Sequence, residues 1–445
     1  MKTFQIGGVH PSGNKLSAGS AIVTLNPPKQ VVLMLSQHIG APAVPCVQKG
    51  DMVKVGTKVA EAGGFVSAPI FSSVAGKVAK IDTAIDAGGY RKPAIYIDAT
   101  GDDEWEEAID RTDTLVRECS LQPKEIIEKI KNAGVVGMGG ACFPTHVKLS
   151  PPPGCKAECV IINGVECEPY LTADHRLMLE KSEEILVGVS LLMKAACVEK
   201  GYIAVESNKP DAIKLLQEKA ASYPGIEVIP LKMKYPQGGE KQLIDAVLGR
   251  QVPPPPAIPV NVGAIVQNVG TAFAVYEAVQ KNKPLMERIV TVTGKSVAHP
   301  ANLRARIGTP VSSLIDYVGG MPQDTGKLIL GGPMMGKAAA TADIPVCKGT
   351  SGVLMLPQSE ASRGEVEPCI RCAKCVGACP MGLEPYLLAG LSRAAEWDAL
   401  EKEWITSCIE CGCCQFTCPS HRPLLDYVRT GKAAVMKRIQ ARNKK

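Results

Sequence analysis

Apolar and polar residues alternate along the first hundred positions. Val47-Gln48-Lys49-Gly50-Asp51-Met52-Val53 and Val55-Gly56-Thr57-Lys58-Val59-Ala60 repeat with period two, joined by Gly-Asp turn chemistry. Val74-Ala75-Gly76-Lys77-Val78 keeps that rhythm after Ala68-Pro69. The pattern predicts a β domain over residues 1–120. The rhythm then changes. Residues 123–133 read as a helix, while 160–163, 202–205 and 226–231 are short apolar runs of strand length. Helical stretches at 175–198 and 210–221 separate them. Strands alternating with helices predict a mainly parallel α/β domain over residues 121–284. Pro253-Pro254-Pro255-Pro256 is an extended connector. Residues 285–350 hold short β runs at 289–292 and 328–330 between glycine-rich turns, which predicts a small α+β module. Residues 360–445 read as helical, most clearly at 387–404. The fold class is therefore multidomain α/β with a helical C-terminal domain.

Composition narrows the setting. A chain of 445 residues is too long for one core, and 45% apolar content is ordinary for a water-exposed fold. Met1-Lys2 runs into Phe4-Gln5-Ile6-Gly7-Gly8 without an apolar leader. The most apolar stretches, 185–198 and 263–275, are interrupted by Lys194 and by Gln267 and Asn268, and both are too short to cross a bilayer. The expectation is a cytoplasmic protein, or one peripheral on the cytoplasmic side of a membrane. The net charge of +6 gathers in the tail at Arg429, Lys432, Lys437, Arg438, Arg442, Lys444 and Lys445. Such a segment suits anionic lipid, an acidic partner, or simply a solvated terminal helix. Aromatic content is 4%, no nucleic-acid module is visible, and nucleic acid is not an expected partner.

The chemistry begins with 17 cysteines. Eight of them form two copies of one run, Cys369-x2-Cys372-x2-Cys375-x3-Cys379-Pro380 and Cys408-x2-Cys411-x2-Cys414-x3-Cys418-Pro419. This resembles the run that holds two [4Fe-4S] clusters in bacterial ferredoxins, where the fourth Cys ligates the other cluster. The resemblance assigns Cys369, Cys372, Cys375 and Cys418 to one cluster, and Cys408, Cys411, Cys414 and Cys379 to the other. Zinc favours separate C-x2-C pairs and fits two identical four-cysteine runs poorly. The remaining nine cysteines show no spacing framework, which speaks against disulfides. The 28 residues between Cys379 and Cys408 leave room for helices, so a helical di-cluster ferredoxin domain is expected.

The Gly-Asp-rich β region resembles the barrel-sandwich hybrid of biotinyl and lipoyl carriers. A carrier places a lysine at its hairpin tip. Here the tip is Ala62-Gly63-Gly64-Phe65, so no attached cofactor is expected and the domain reads as a scaffold. On this view residues 1–105 are dispensable for loading the clusters.

An electron source is expected at Gly137-Met138-Gly139-Gly140-Ala141-Cys142-Phe143-Pro144-Thr145-His146-Val147-Lys148. Glycines let backbone amides close on a phosphate, and Lys148 adds a cation. The loop follows a helix and carries Cys142 where a dinucleotide fingerprint needs its third glycine. Gly294-Lys295-Ser296 is no P-loop, because Ile289 stands where the leading glycine belongs. Downstream come Asn163-Gly164-Val165-Glu166-Cys167-Glu168-Pro169, Tyr235, Gly238-Gly239-Glu240 and Gln267-Asn268-Val269-Gly270-Thr271. Together these resemble the flavin- and NADH-binding subunit of respiratory complex I. The resemblance implies FMN contacts at Gly137, Gly139, Gly140, Phe143, Lys148, Asn163, Glu240 and Asn268. It implies nicotinamide chemistry at Glu166 and Glu168, with NAD(H) as substrate. Three positions depart from that family: Met138 replaces Arg, Val165 replaces Asp, and Lys241 replaces Glu.

Over its whole length the chain resembles the RnfC component of the Rnf electron-transport complex. Gly7-Gly8-Val9-His10-Pro11, Gln37-His38-Ile39-Gly40-Ala41-Pro42, Gly331-Gly332-Pro333-Met334-Met335-Gly336 and the paired cysteine runs carry that likeness. It implies a β-grasp-like module at 285–350 and a place on the cytoplasmic side of the cell inner membrane. The implied partners are the membrane and iron–sulfur subunits of the complex, with ferredoxin reached indirectly. The implied activity is electron transfer between ferredoxin and NAD(H), coupled to Na+ or H+ translocation. Two rivals remain: a non-catalytic iron–sulfur adaptor with a degenerate nucleotide site, and a soluble flavin dehydrogenase.

Overall fold

The N-terminal domain is two small β-sheets packed face to face. In the computed structural model, which describes residues 1–442, one sheet has the order Gln30–Met34, Arg91–Ala99, Gly76–Ile85, Met52–Val53. The other has the order Val44–Pro45, Lys58–Glu61, Ile70–Phe71. Inward positions Val31, Leu33, Val59, Val78, Ile95 and Ile97 are fully buried, as the alternation predicts. The tip carrying Phe65 reaches the next domain: the Phe65 carbonyl lies 3.3 Å from Nε2 of His146, and the Ile39 N–H donates to the Cys142 carbonyl at 3.3 Å.

The second domain is an all-parallel sheet in the order Ile226–Leu231, Lys200–Glu206, Cys159–Asn163, Ala264–Asn268. Helices Ser182–Ala196 and Val269–Gln280 cover one face, and Gly188 lets them touch. A methyl on Gly188 would stand 2.0 Å from the Ala272 carbonyl oxygen. Apolar stretch 263–275, read from sequence as one run, is the strand Ala264–Asn268 followed by the start of that helix.

The third unit is a six-stranded sheet ordered Ile22–Thr24, Ala301–Arg306, Glu287–Thr293, Gly352–Pro357, Thr325–Leu330, Lys337–Ala339. The sheet reaches beyond the expected module of 285–350, taking in Ile22–Thr24 and Gly352–Pro357. Gly352–Pro357 is buried on both faces and so shows no alternation, while Ile22–Thr24 is a three-residue edge strand too short to carry a pattern.

The C-terminal domain packs the long helix Leu424–Arg442 against Pro385–Arg393 and Trp397–Lys402 around Leu388, Leu400, Ile405, Val428 and Val435. Basic side chains of the tail pair within this domain: Arg438 with Asp398 at 2.7 Å, and Arg429 and Lys432 with Glu410 at 3.2 and 2.9 Å. Lys444 and Lys445 lie outside the described residues. No helix among the described residues is long and apolar enough to cross a membrane.

The first seventeen residues do not belong to the barrel. Lys2 bridges to Leu231 at the edge of the parallel sheet, Val9 pairs with Tyr235, and the Gly8 N–H donates to the Ala378 carbonyl at 2.9 Å. A methyl on Gly7 would stand 2.4 Å from the Cys379 carbonyl oxygen. The arm therefore touches the first cysteine run directly, a contact that the reading of residues 1–105 as a scaffold did not include.

Candidate functional site

Parallel pairing aligns Asn163 with Asn268 at the carboxyl ends of neighbouring strands, where α/β sheets bind ligands. Asn163 Nδ2 donates to the Gly238 carbonyl at 2.8 Å, which holds the Gly238-Gly239 turn over the strand end. Asn268 caps the helix Val269–Gln280. Its Oδ1 accepts from Gly270 N at 2.8 Å and its Nδ2 donates to Asp174 at 2.7 Å. The glycine loop is stitched onto this helix start. Gly137 N donates to the Phe143 carbonyl at 2.8 Å, and Met138 N donates to Thr271 Oγ1 at 2.9 Å. A methyl on Gly139 would stand 3.3 Å from Asn268 Cβ, whereas Gly140 faces open space at φ +129°. Lys148, from the short helix Thr145–Lys148, is not a bare cation. It donates to Glu240 at 2.7 Å and to the Val266 carbonyl at 3.0 Å.

The two glutamates differ sharply. Glu166 has φ +47°, and its carboxylate accepts from the N–H groups of Asp174 at 2.8 Å and His175 at 3.1 Å. It caps the helix Ala173–Glu180. Glu168 instead points at the loop 331–336. It accepts from Met335 N at 2.7 Å and Met334 N at 3.0 Å, with the Tyr235 hydroxyl 3.4 Å away. Gly332 is required there, since its Cβ would stand 2.2 Å from a Glu168 oxygen. Burial pushes the Glu168 carboxyl up to about 7. Burial and the Glu166 charge push Asp174 up as well.

Sequence reading missed Lys15, Asp174 and Arg288. The Lys15 ammonium donates to the carbonyls of Glu166, Glu168 and Leu171 at 2.8, 2.9 and 2.7 Å, so one side chain shapes the whole glutamate segment. Arg288 binds the Met138 carbonyl at 2.8 Å and the Thr350 carbonyl at 3.0 Å. An isolated lysine in a polar stretch and an arginine inside a strand carry no periodic signal.

The two cysteine runs repeat in backbone as well as in spacing. Arg371 and Ala373 in the first, Glu410 and Gly412 in the second, have φ of 56°, 56°, 58° and 81°. Gly382 and His421, each three residues past the fourth cysteine, follow at 66° and 49°. Left-handed residues between ligands turn successive N–H groups toward one point. Accordingly Glu410 N donates to Cys408 Sγ and Leu383 N to Cys379 Sγ, both at 3.4 Å. Burial pushes the Cys408 thiol up to about 11, and Cys411 and Cys379 add to the push. Cys414 is raised by burial and then by Cys408, Cys411 and Cys379, whereas Cys375 is raised by burial and feels Cys418. Cys379 thus acts on thiols of the second run, and Cys418 on one of the first. Among the described residues no three His, Cys, Asp or Glu side chains already converge as a cage. The donor set is nevertheless eight thiols in two groups, which fits two iron–sulfur clusters. Cys369 and Cys372 are exposed, while Cys379 and Cys411 are buried. Cys413, out of step with the repeat, is fully buried beside Val9, Tyr235 and Cys411.

The buried run abuts the glutamate segment. Tyr235 OH donates to the Cys411 carbonyl at 2.9 Å, and a methyl on Gly412 would stand 3.0 Å from the Met334 carbonyl oxygen.

An α/β domain with an asparagine-lined strand end, a glycine loop and a thiol-rich domain docked beside it defines a flavin-linked electron-transfer protein. Residues 130–277 match the family model for the Nuo51 FMN-binding domain, 2–102 that for the RnfC barrel sandwich hybrid domain, and 289–338 that for the SLBB domain. The chain is 44% identical to the C component of the proton-translocating ferredoxin:NAD(+) oxidoreductase complex of Clostridium ljungdahlii, over 91% of this chain and 87% of that protein. It is 44% identical to the Na(+)-translocating counterpart of Acetobacterium woodii (90% and 89% covered) and 40% identical to the C component of the ion-translocating oxidoreductase complex of Rhodobacter capsulatus (90% and 78%). The chain belongs to this family, the RnfC components of the ion-translocating oxidoreductases. A NAD+-reducing [NiFe]-hydrogenase chain shares the fold, with a TM-score of 0.50 at 20% identity over 71% of this chain and 66% of that one.

Proposed function

We propose that this chain is the NAD(H)- and FMN-handling subunit of a membrane-bound complex that couples electron transfer between ferredoxin and NAD+ to Na+ or H+ translocation. The subunit sits peripherally on the cytoplasmic side of the membrane. The membrane and iron–sulfur subunits are its direct partners, and ferredoxin is reached through them.

The observation that carries the reading is the contiguity of Glu168, Tyr235 and Cys411. Gly137, Gly139, Gly140 and Phe143 would hold the flavin from the loop, with Lys148, Asn163, Glu240 and Asn268 beneath it. The close approach of Gly139 to Asn268 and the open face of Gly140 suit a planar, phosphate-bearing ligand. When bound, FMN accepts a hydride's electron pair and releases electrons one at a time. Glu168 holds a proton near neutrality beside that position and orients the nicotinamide end of the substrate. Glu166 and Lys15 fix the segment on which Glu168 stands. Cys408, Cys411, Cys414 and Cys379 hold the cluster nearer the flavin. Cys369, Cys372, Cys375 and Cys418 hold the outer one, where exposed Cys369 and Cys372 meet a partner.

The test is an anaerobic iron, flavin and NADH titration of the purified chain. A flavin band bleached by NADH, with about eight irons per chain, supports the proposal. Iron without any bound flavin, even after FMN is supplied, leaves an electron adaptor.

A further inference from the structure

One departure noted in the sequence is Met138, which leaves the glycines Gly137, Gly139 and Gly140 without an arginine between them. The structure supplies one from elsewhere in the chain. Arg288 lies on the strand Glu287–Thr293 of the neighbouring sheet and is only 5% exposed. Its Nε and Nη2 are bound by the Thr350 and Met138 carbonyls. Its Nη1 has no acceptor among the described residues, and it is aimed at the first turn of the twelve-residue helix Val269–Gln280. A methyl built on Gly270 would stand 3.2 Å from Arg288 Nη1 and 3.5 Å from Met138 Cε. The guanidinium therefore sits beside the end of the Met138 side chain, the place an arginine at position 138 would reach.

The acidic groups in its field are Asp174 and Glu166. Both are already engaged: Asp174 Oδ2 accepts from Asn268, and the Glu166 oxygens accept from two backbone N–H groups. Neither forms an ion pair with Arg288 at hydrogen-bond distance. A helix start beside a buried arginine, one guanidinium nitrogen of which lacks an acceptor, is a site for a compact oxyanion.

We propose that Arg288 receives the phosphate of the flavin, so that the glycine loop, the start of Val269–Gln280 and the six-stranded sheet together select FMN over riboflavin. This rests on the flavin reading above. It adds that the selecting cation comes from a different module than the loop it serves. FMN retention then requires that module to be docked.

The experiment is fluorescence-quenching titration of flavin-free full-length chain with FMN and, separately, with riboflavin. Wild type is expected to prefer FMN by about tenfold or more. Arg288→Met should bring the two affinities within about threefold of each other by weakening FMN alone. The exchange variant Met138→Arg with Arg288→Met should restore the preference. Should Arg288→Met fail to fold, Arg288→Lys carries the test: it keeps the charge, loses the fork, and should weaken FMN but not riboflavin. Equal weakening of both flavins, or no change in either, overturns the role of Arg288 and leaves the flavin site standing. If wild type binds neither flavin, the flavin reading itself falls, and this inference with it.

Discussion

The hydroxyl of Tyr235 donates to the backbone carbonyl of Cys411 at 2.9 Å and lies 3.4 Å from a Glu168 oxygen, so one phenol joins the glutamate segment to the second cysteine run. Tyr235 is 1% exposed, and burial pushes its hydroxyl far above the usual phenol range. It is a fixed donor that keeps its proton. Tyr235→Phe leaves the Cys411 carbonyl unpaired, at a cost of about 1–3 kcal/mol. The expected result is a Tm lower by a few degrees, full iron content, and slower electron arrival at the clusters after NADH addition. Stopped-flow absorbance read at flavin and cluster wavelengths checks it.

Glu168 provides a pH signature. Burial holds its carboxyl near 7 against 4.5 for a free side chain, so the native chain keeps a proton that the unfolded chain has lost. Stability therefore falls as pH rises from about 4.5 to about 7 and levels off above that. Glu168→Gln should flatten this part of the Tm–pH curve. It should also weaken NADH reduction of the flavin and remove the apparent group near 7 from its pH profile, with cluster content intact. Unchanged NADH kinetics would reduce Glu168 to a loop anchor.

Lys15 is expected to matter more than its sequence context suggests. Lys15→Met frees three carbonyls from one ammonium, which costs about 2–4 kcal/mol. NADH-driven flavin reduction should drop about tenfold or more while the iron stays, because the lysine organises the glutamate segment and hydrogen-bonds to neither cysteine run. Parallel iron and activity assays separate these outcomes.

The cysteine register has a direct check. Cys372→Ser and Cys414→Ser should each lower iron from about eight to about four per chain. Cys413→Ser should keep about eight, since its position is out of step with the repeat and its thiol is buried against the Tyr235 carbonyl. Iron loss in Cys413→Ser with retention in Cys414→Ser would shift the register by one residue.

The N-terminal barrel should carry no covalent cofactor. Its tip at Phe65 is 70% exposed but offers no amine, and it leans on His146. Intact-protein mass spectrometry should return the unmodified chain; an added lipoyl or biotinyl mass would contradict this.

Strong local patterns made much of this architecture legible. The parallel strands at 159–163, 200–206 and 226–231 are apolar runs with turn chemistry at their ends, so sequence places them within a residue or two, whereas the helical stretch 175–198 is two helices, Ala173–Glu180 and Ser182–Ala196. The asparagines and glycines at the strand ends follow from the same topology. What stayed hidden depends on distant pairing. Ile22–Thr24 is a strand only because Asn302, Leu303 and Arg304 lie beside it. Lys15 and Arg288 become site residues only through carbonyls more than a hundred positions away. Glu166 looked equivalent to Glu168, but its left-handed backbone turns its carboxylate onto a helix start instead.

The arm formed by the first seventeen residues carries a consequence for biosynthesis. Its partners, Leu231, Tyr235 and Ala378, are made long after it leaves the ribosome. Contacts of such sequence separation form late, because the loop between them must close first. The nascent arm therefore waits unpaired while the barrel condenses, and it docks as the parallel sheet brings up Leu231 and Tyr235. Its last contact forms only when the segment around Ala378 has been synthesised. A chain truncated before that segment keeps an arm that is only partly tied down, a loose N-terminus open to proteases.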